Sequence, residues 1–395
     1  MDDKRIPKLR FPKFTDEWEQ RKFKDIAQRM SNIGTSNEET PSVEYEDVIS
    51  EQGLLNKDVR QKEEIKMGIK FSENEVLYGK LRPYLHNWLS PNFQGVAVGD
   101  WWVLKPINAD KNFLYRLIQT PQFDDMANQS SGTKMPRADW KLVSSMKLYI
   151  PIDMEEQERI GNYFSNLDNL ITLHQRKFDS LKELRDGIIQ RIFSRELRFK
   201  RLDGREFENW VTKELSEIFT ERKVSQTITE DAPLLSFTIE QGVINPQDKK
   251  TNKRDFLIKD KDTKKFALTE VDDIIYNPAN LKYGAIHRNK LMRGVVSPIY
   301  AIFYTEQNPA FMEYVVKNPA FIKNSMKYLE GTVIKLMTLK PRDFLKLKVE
   351  VPASLEEQKI IADFLMKFDE TIDAEQKKIE KWKELKKGLL QQMFV

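Results

Sequence analysis

The chain has 395 residues, of which 40% are hydrophobic and none is cysteine, and its 65 lysines and arginines slightly exceed its 61 aspartates and glutamates. This length predicts two or more domains, because one compact core rarely holds so many residues. The lack of cysteine excludes disulfides and thiolate metal sites, and without a signal peptide or a membrane-length apolar run we expect a cytoplasmic protein with no membrane partner.

Residues 1–150 are predicted to form a first globular domain of mixed α and β structure. Short β-rich runs such as VLYGKL and GVAVGDWWVLKP are broken by Gly and Pro, and the helical stretch FLYRLIQTPQFDDMANQ follows them. This segment contains one basic and aromatic cluster, YGKLRPYLHNW, with Lys80, Arg82, Tyr84, His86 and Asn87. Because Arg and Lys bind phosphate or read guanine, the cluster favours DNA binding over the alternative of a solvated charged face.

Residues 151–196 are predicted to contain a long helix. Pro151 ends the preceding strand because it lacks an N–H donor, Asp153 can cap the helix, and the paired glutamates of EEQ favour its positive N-terminus. Apolar residues then alternate at spacings of four and three, which predicts a coiled-coil seam. The seam is assigned to Ile160, Leu167, Ile171, His174 and Phe178.

Residues 197–350 are predicted to form a second globular domain of mixed structure, with the β-rich runs DIIYN, GVVSPIYAIFY and LKLKVEV. Its basic and aromatic cluster, NPANLKYGAIHRNK, also favours DNA binding. Between residues 248 and 266, eight basic residues face four acids, enough for phosphate contacts. The candidates in the cluster are Asn277, Asn280, Lys282, Tyr283, His287 and Arg288.

Residues 351–395 repeat the first long helix. Shifted by 201 positions, residues 151–194 align with 352–395 without a gap, and 15 of the 44 positions are identical. A pseudo-dyad between the halves would make the helices antiparallel and bring His174 and Glu375 near the middle of the seam. They would either form a polar contact that fixes the register or extend to the helix edge. The second seam comprises Ile361, Phe368, Ile372, Glu375 and Ile379.

Signals for catalysis are weak. The chain has three histidines, one of them on the predicted seam, which supports neither a catalytic triad nor a histidine metal cluster. Glycine-rich phosphate-binding motifs do not occur in the sequence. YNPAN matches only part of an amino-methyltransferase motif, and the Glu-x-Lys pairs match half of a nuclease motif. We therefore predict no catalytic residues, no metal and no covalent chemistry for this chain.

Several repeated motifs resemble those of one family. They are LRFPKF, GTKMP, LYIPIDMEEQERIGNYFSNLD and LKELRDGIIQRIF in the first half, and GTVIK, VEVPASLEEQKIIADFLMKFDETI and LKKGLLQQMF in the second. In these motifs, over essentially its whole length, the chain resembles the specificity subunits of type I restriction-modification systems. The resemblance implies an α+β fold with two mixed α/β target-recognition domains in tandem, 1–150 and 197–350. They would be separated by two long helices, within 151–196 and 351–395, that form an antiparallel coiled coil with pseudo-twofold symmetry.

The resemblance also implies a function and partners. Each domain would read one half of a bipartite, asymmetric site in double-stranded DNA, and helices 155–193 and 356–394 would set the gap and dock two methyltransferase subunits. Those subunits would carry S-adenosylmethionine, with no cofactor in this chain, and restriction motor-nuclease subunits would join for cleavage. It adds four DNA-contact candidates near the GT segments: Lys134, Arg137, Lys335 and Arg342. The alternatives are a coiled-coil adaptor without specific DNA binding and a stand-alone methyltransferase or nuclease.

Overall fold

The computed structural model describes residues 6–129, 135–249, 264–328 and 338–395. Lys134, Lys335 and most of the basic stretch 248–266 therefore lie outside the described residues. The chain divides into two compact units: unit 1 comprises Met1–Ser180 and Asp373–Val395, and unit 2 comprises Leu181–Ile372. Each unit thus contains one globular part and a segment of each long helix. Among the helices that could be searched, none has the length and apolar character of a membrane span.

Unit 1 is built around two four-stranded sheets. Its strands are β1 (Glu19–Lys22), β2 (Ala27–Met30), β3 (Ile33–Thr35), β4 (Ser42–Val43), β5 (Val48–Ile49), β6 (Leu54–Leu55), β7 (Met67–Phe71), β8 (Val76–Gly79), β9 (Trp88–Leu89), β10 (Gly95–Ala97), β11 (Trp101–Pro106) and β12 (Lys147–Ile150). One sheet has the antiparallel order β2-β11-β8-β9, and the other has the order β3-β7-β10-β4 with a parallel β10–β4 pair. β1 pairs with β12, and β5 with β6.

The short helices of unit 1 cover the first of these sheets. They are α1 (Phe23–Ile26), α2 (Lys111–Leu117), α3 (Pro121–Ala127) and α4 (Trp140–Ser145). Asp110 caps α2 by accepting a hydrogen bond from the backbone N–H of Phe113 at 2.8 Å. Phe113, Phe123 and Trp18 are fully buried in the core beneath these helices, where each contributes about 1.5–3 kcal/mol by removal from water.

The first long helix, α5, extends over Met154–Phe193 and begins one residue before the predicted 155–193. Asp153 caps it, because its Oδ1 accepts a hydrogen bond from the backbone N–H of Glu155 at 2.8 Å. The helix starts directly after the strand that ends at Ile150, as the proline at position 151 predicted.

Unit 2 repeats the main sheet of unit 1. Its strands are β13 (Val211–Glu214), β14 (Phe219–Glu221), β15 (Ser225–Gln226), β16 (Ser236–Thr238), β17 (Gly242–Ile244), β18 (Phe266–Thr269), β19 (Ile274–Tyr276), β20 (Ile286–Arg288), β21 (Gly294–Val296), β22 (Ala301–Thr305) and β23 (Lys348–Val351). The order β14-β22-β19-β20 matches β2-β11-β8-β9, and the β13–β23 pair matches β1–β12. The remaining described strands form the sheet β15-β18-β21 and the β16–β17 ribbon.

The helices of unit 2 are α6 (Pro309–Lys317), α7 (Pro319–Ser325) and α8 (Pro341–Phe344), followed by the second long helix, α9 (Leu355–Gln392). α9 ends two residues before the predicted 394. In the core of this unit, the ring of Phe344 packs on Tyr276 and Phe303 at centroid distances of 4.9 and 5.1 Å. Both globular parts are thus of mixed α and β structure, as predicted.

Within each unit, segments of α5 and α9 pack antiparallel. In unit 1, α5 residues later in the chain contact α9 residues earlier in the chain: Asp168 lies 2.7 Å from Lys386, and His174 lies 2.5 Å from Glu375. In unit 2, Arg185 of α5 donates to Asp369 of α9 at 3.1 Å. This confirms the predicted antiparallel packing direction. Asp168 and Asp369 are equivalent in the 201-residue repeat, so the two units use matched contacts.

The EEQ motif at each helix start is a buried anchor. In unit 1, Glu156 is 1% exposed and accepts hydrogen bonds from Arg10 at 2.6 and 2.7 Å and from the indole N–H of Trp18 at 3.3 Å. In unit 2, Glu357 accepts from Arg198 at 3.1 and 3.2 Å and from an indole N–H at 3.3 Å, that of Trp210. Hydrogen bonding to Glu156 raises the pKa of Arg10. Each second glutamate therefore joins its helix to the segment that begins its globular part.

The glutamine of the motif makes a second matched connection. Gln157 donates to the carbonyl of Pro151 at 2.8 Å and accepts from the backbone N–H of Asp110, the cap of α2, at 2.9 Å. In unit 2, Gln358 donates to Pro352 at 2.9 Å and accepts at 3.0 Å from the backbone N–H that precedes α6. Buried amides of this kind are stable only when their hydrogen bonds are made, and here both ends are satisfied.

Candidate nucleic-acid interface

In unit 1, the loop between β8 and β9 carries most of the predicted DNA-contact residues. It includes a 3-10 turn, Pro83–Leu85, flanked by Arg82 and His86 in the left-handed conformation with φ of 48° and 53°. This conformation costs a residue with a side chain about 1–3 kcal/mol and is found mainly at functional sites. The side chain of Tyr84, inside the turn, is 52% exposed.

The base of this loop is joined to the segment before α4. Arg82 donates its backbone N–H to Pro136 at 2.7 Å, and Ala138 donates to Lys80 at 2.8 Å. These bonds bring two segments that are far apart in the sequence onto one surface. They also place Arg137, one of the four candidates near the GT segments, beside the loop.

An open cleft of unit 1 lies beside the loop. Asp139 is the acidic residue in its lining. The guanidinium of Arg29 lies over the ring of Trp140 at 5.2 Å, a cation–π contact. A concentration of cations beside flat aromatic rings suits a polyanion such as a nucleic acid. Four basic and two aromatic side chains line the cleft: Arg29, Lys80, Arg137, Lys141, Trp102 and Trp140.

Asp100 holds two of these cations. Arg137 donates through Nε at 3.2 Å and through Nη2 at 3.0 Å to the Asp100 carboxylate, and Lys80 lies 3.5 Å from it. Partial burial alone would raise the pKa of Asp100, but the hydrogen bonds and charge of Arg137, with the charge of Lys80, lower it overall. Asp100 therefore stays ionised and orients both cations.

Two predicted contacts in the loop have internal partners instead. The His86 ring stacks on Trp88 at 5.3 Å, and its Nε2 lies 3.0 Å from Asp124. Asn87 is 6% exposed and accepts a hydrogen bond from Ser50 at 2.9 Å. Burial removes Asn87 from the candidate surface, while the His86 ring is held by Trp88 and Asp124.

The matching loop of unit 2 lies between β19 and β20. It contains the 3-10 turn Leu281–Tyr283 and then Gly284, whose φ of 80° occurs 198 positions after that of His86. Tyr283 is 63% exposed, and the ammonium of Lys282 lies 5.1 Å from its ring centre. The base of the loop is again bonded to the segment before a short helix, here through a 3.0 Å hydrogen bond from Leu339 to Pro278.

The predicted asparagines of unit 2 lie in this loop. The Asn277 side chain accepts from the backbone N–H of Ala279 at 3.0 Å, and its carbonyl accepts from the backbone N–H of Asn280 at the same distance. Both asparagines are half-buried. Arg342 is 67% exposed and lies 3.2 Å from Asp343.

His287 and Arg288 were predicted to lie on the DNA-contact surface, but the structure has both side chains largely buried. His287 is 5% exposed and donates to the carbonyl of Ile239 at 2.7 Å, and burial together with the charge of Lys317 lowers its pKa to about 4. The side chain of Arg288 is 15% exposed and is paired with Asp272 at 2.5 Å and with Glu313 at 3.5 Å. Their burial follows from β20, which packs on α6.

The residues of the predicted coiled-coil seam are buried or half-buried in the long helices. The His174 ring contacts the Glu375 carboxylate at 2.5 Å, and Lys177 lies 3.3 Å from its other oxygen. The hydrogen bond from His174 lowers the pKa of Glu375 despite its burial. Of the two alternatives for this pair, the structure has the polar contact. None of the ten seam residues is exposed: Ile160, Leu167, Ile171, His174, Phe178, Ile361, Phe368, Ile372, Glu375 and Ile379.

Sequence reasoning missed part of the cleft. Arg29 comes from β2 and Lys141 from α4, and Asp100, which pairs with the cleft residues Arg137 and Lys80, comes from the bend before β11, so no short motif contains them. The one usable signal was the run PRADWK, which places Arg137, Trp140 and Lys141 within five residues. In the parts of the chain that the structure describes, no group of three or more acidic or histidine side chains could hold a metal ion.

Comparison with known families identifies the chain. The family model for the type I restriction modification DNA specificity domain matches residues 15–183 and 298–384, which is more than half of the sequence. The chain belongs to this family. The resemblance noted from the repeated helix motifs is therefore confirmed, and the two matched regions include parts of both globular units.

Individual relatives agree with this assignment. The chain is 29% identical over 133 residues to the type I restriction enzyme EcoDI specificity subunit of Escherichia coli, covering 32% of this chain and 29% of that protein. It is 24% identical over 291 residues to the MjaVIII specificity subunit of Methanocaldococcus jannaschii, covering 67% of this chain and 65% of that protein. These alignments span less than two thirds of the relatives' length.

Solved structures share the fold over nearly the whole chain. The S subunit of a type I restriction-modification system from M. genitalium matches with a TM-score of 0.62 at 15% identity, covering 99% of both chains. A chain from a structure of complex assembly and conformational transition of the type I R-M system matches with a TM-score of 0.54 at 12% identity, covering 94% of this chain and 96% of that one.

Proposed function

We propose that this specificity-family chain is the non-catalytic DNA-recognition subunit of a type I restriction-modification complex. Each globular unit reads one half of a bipartite, asymmetric site in double-stranded DNA. The long helices set the separation of the halves and dock two methyltransferase subunits, which bind S-adenosylmethionine. Restriction motor-nuclease subunits join the same assembly for cleavage, and the complex acts in the cytoplasm.

The observation that carries this proposal is a pair of matched loops with different sets of side chains. The β8–β9 and β19–β20 loops share a 3-10 turn and a backbone bond to the segment before a short helix. The first presents Tyr84 beside a basic cleft, and the second presents Lys282 and Tyr283. One framework with two sets of side chains suits recognition of two different half-sites.

The charge of these loops suits DNA. The cleft of unit 1 supplies four cations for phosphate contacts or base reading, and Lys282 supplies one in unit 2. α5, with 40 residues at about 1.5 Å each, is about 60 Å long, which exceeds one turn of DNA. A helix of this length is suited to act as a spacer between half-sites.

Sequencing of methylated bases in cells with and without this gene tests the proposal. We expect one bipartite motif, with a methylated adenine in each half, to disappear when the gene is deleted. An unchanged methylome would refute the proposal and favour an adaptor without specific DNA binding. Methylation by the purified chain alone would instead identify it as an enzyme.

Variants limited to one unit test the division of labour. Lys282→Ala should weaken or relax reading of one half-site, while Lys80→Ala should affect the other half only. Lys282 lies in the matched loop of unit 2, so each variant is the control for the other. Equal loss of both halves in a footprint with either variant would contradict independent reading by the two units.

A further inference from the structure

We propose that Arg137 reads a guanine in the half-site recognised by unit 1, and that Asp100 is its positioning residue. This inference rests on the proposed function and adds the base and the side chain. It concerns an arginine that enters the cleft from the segment before α4, outside the β8–β9 loop.

The geometry of the ion pair carries the inference. The Asp100 carboxylate accepts hydrogen bonds from one side of the Arg137 guanidinium, from Nε at 3.2 and 3.3 Å and from Nη2 at 3.0 Å. Since a guanidinium has five N–H groups, this leaves both protons of Nη1 and one of Nη2. In the described residues, no further hydrogen bond occupies that outer edge. Two parallel N–H groups on one edge match the O6 and N7 acceptors of guanine.

Arg137 is also exposed and fixed at its base. Its side chain is 53% exposed, compared with 31% for Lys80, the other cation on Asp100. An antiparallel bridge to Leu81 holds its backbone. Hydrogen bonding to Asp100 raises the pKa of Arg137, so the guanidinium stays positively charged. An arginine held in this way loses little freedom on binding, which favours specific contact.

Asp100 is itself braced from behind. The hydroxyl of Tyr45 donates to the backbone carbonyl of Asp100 at 2.7 Å and accepts from the backbone N–H of Leu81 at 2.9 Å. Tyr45 thus joins the bend that bears Asp100 to the segment paired with Arg137. Because both partners of the ion pair are anchored through the same region, the outer edge of the guanidinium has a defined direction.

At the corresponding position of unit 2 the residue is not an arginine. The position 201 residues after Arg137 is Thr338, which precedes Leu339 as Arg137 precedes Ala138. A guanine read through this position is therefore expected in one half-site only. The remaining cleft cations, with Lys141 as the example, are expected to bind phosphate without selecting a base.

Competition binding tests the inference. The chain is assembled with its cognate methyltransferase subunits, and the wild-type motif is first determined from the methylome. Duplexes are then prepared with each base pair of the unit 1 half-site changed singly. We expect the wild type to discriminate by about 5- to 150-fold at one G·C pair through this contact. Arg137→Ala should lose that discrimination alone.

Three further variants separate the roles. Arg137→Lys keeps the charge but not the two-pronged edge, so it should also lose selectivity at that pair, and it serves if Arg137→Ala fails to assemble. Asp100→Asn should reduce discrimination at the same pair with less effect elsewhere. Lys141→Ala, the control in the same cleft, should weaken binding to all duplexes equally and lower the salt dependence by about one counterion.

The outcomes are distinct. An unchanged preference in both Arg137 variants, or an equal loss at every base pair, overturns the guanine contact. An unchanged preference in Asp100→Asn overturns the positioning role. If the wild-type complex has no bipartite motif, the proposed function itself fails; a normal motif without a guanine dependent on Arg137 overturns this inference alone.

Discussion

Asp168 joins two cations in unit 1, and its removal should destabilise that unit strongly. One carboxylate oxygen accepts from Arg116 of α2 at 2.6 Å, and the other lies 2.7 Å from Lys386 of α9. The side chains of Arg116 and Lys386 are only 3% and 14% exposed. Burial lowers the pKa of Lys386, and the charge of Asp168 opposes that effect. Asp168→Ala would leave two cations facing each other without an anion.

The expected cost follows from this burial. Breaking a buried ion pair by removing one partner costs about 3–5 kcal/mol. The Asp168 side chain is 27% exposed, so water can partly replace it, and we expect the lower end, about 3 kcal/mol. For a unit of about 200 residues, this corresponds to a fall in Tm of roughly 6–12 °C.

Urea unfolding followed by tryptophan fluorescence measures this cost. Asp179→Ala is the matched control, because Asp179 is an exposed aspartate on the same helix, and it should change the free energy of unfolding by less than about 0.5 kcal/mol. The double variant Asp168→Ala/Lys386→Met should recover part of the loss, since it removes one of the unpaired cations. Equal stability of Asp168→Ala and the control would refute the reasoning.

Three further predictions concern other buried or partly buried groups. Tyr314→Phe should lower the stability of unit 2 by about 1.5–3 kcal/mol in urea unfolding, because the hydroxyl donates to the Asp369 carboxyl group at 2.5 Å. Glu156→Gln should destabilise unit 1 in thermal unfolding, whereas the exposed Glu155→Gln should not. The pKa of His287 is about 4 in the folded protein and about 6.5 in the unfolded chain. Its neutral, buried ring therefore contributes to the free energy of unfolding above about pH 6.5, and this contribution is lost as the pH falls toward 4. The free energy of unfolding of unit 2 should therefore fall by about 2 kcal/mol between pH 7 and pH 5, and His287→Gln should remove that pH dependence.

The repeat explains why much of the fold could be predicted. The two long helices repeat without a gap at a distance of 201 residues, and their apolar residues alternate at spacings of four and three. This pattern predicts helix packing directly, because each seam position must face another helix. The same spacings predict the polar pair on the seam, but they do not decide between a contact and two side chains that extend to the helix edge. The fold of the globular parts was predicted only as mixed, because their strands have two to six residues and pair across long sequence separations.

Individual contact residues were harder to predict, because composition does not tell which way a side chain points. Lys282 and His287 belong to one basic cluster, yet the first lies half-buried in a turn beside the exposed Tyr283 and the second is buried in a strand packed on α6. Alternation within Ile286–Arg288 offers too few positions to decide the buried face. Arg29 reaches the cleft through the β2–β11 pairing, and Asp100 reaches Arg137 from the bend before β11, which no local pattern reports.

The two glutamates of each EEQ motif have different roles, and the repeat contained the signal for this. Glu155 is exposed and paired with Lys13, as expected for a residue at a helix N-terminus, whereas Glu156 is buried beneath Arg10 and Trp18. The arginine and the tryptophan recur in the second half with the motif. Replacing the buried carboxylate alone would leave the arginine charge unpaired. A substitution at the helix start is therefore tolerated only together with a substitution in the segment that begins the globular part. The exposed side chain of Tyr84 in the β8–β9 loop is not buried in this way, which lets it change while the anchor stays the same.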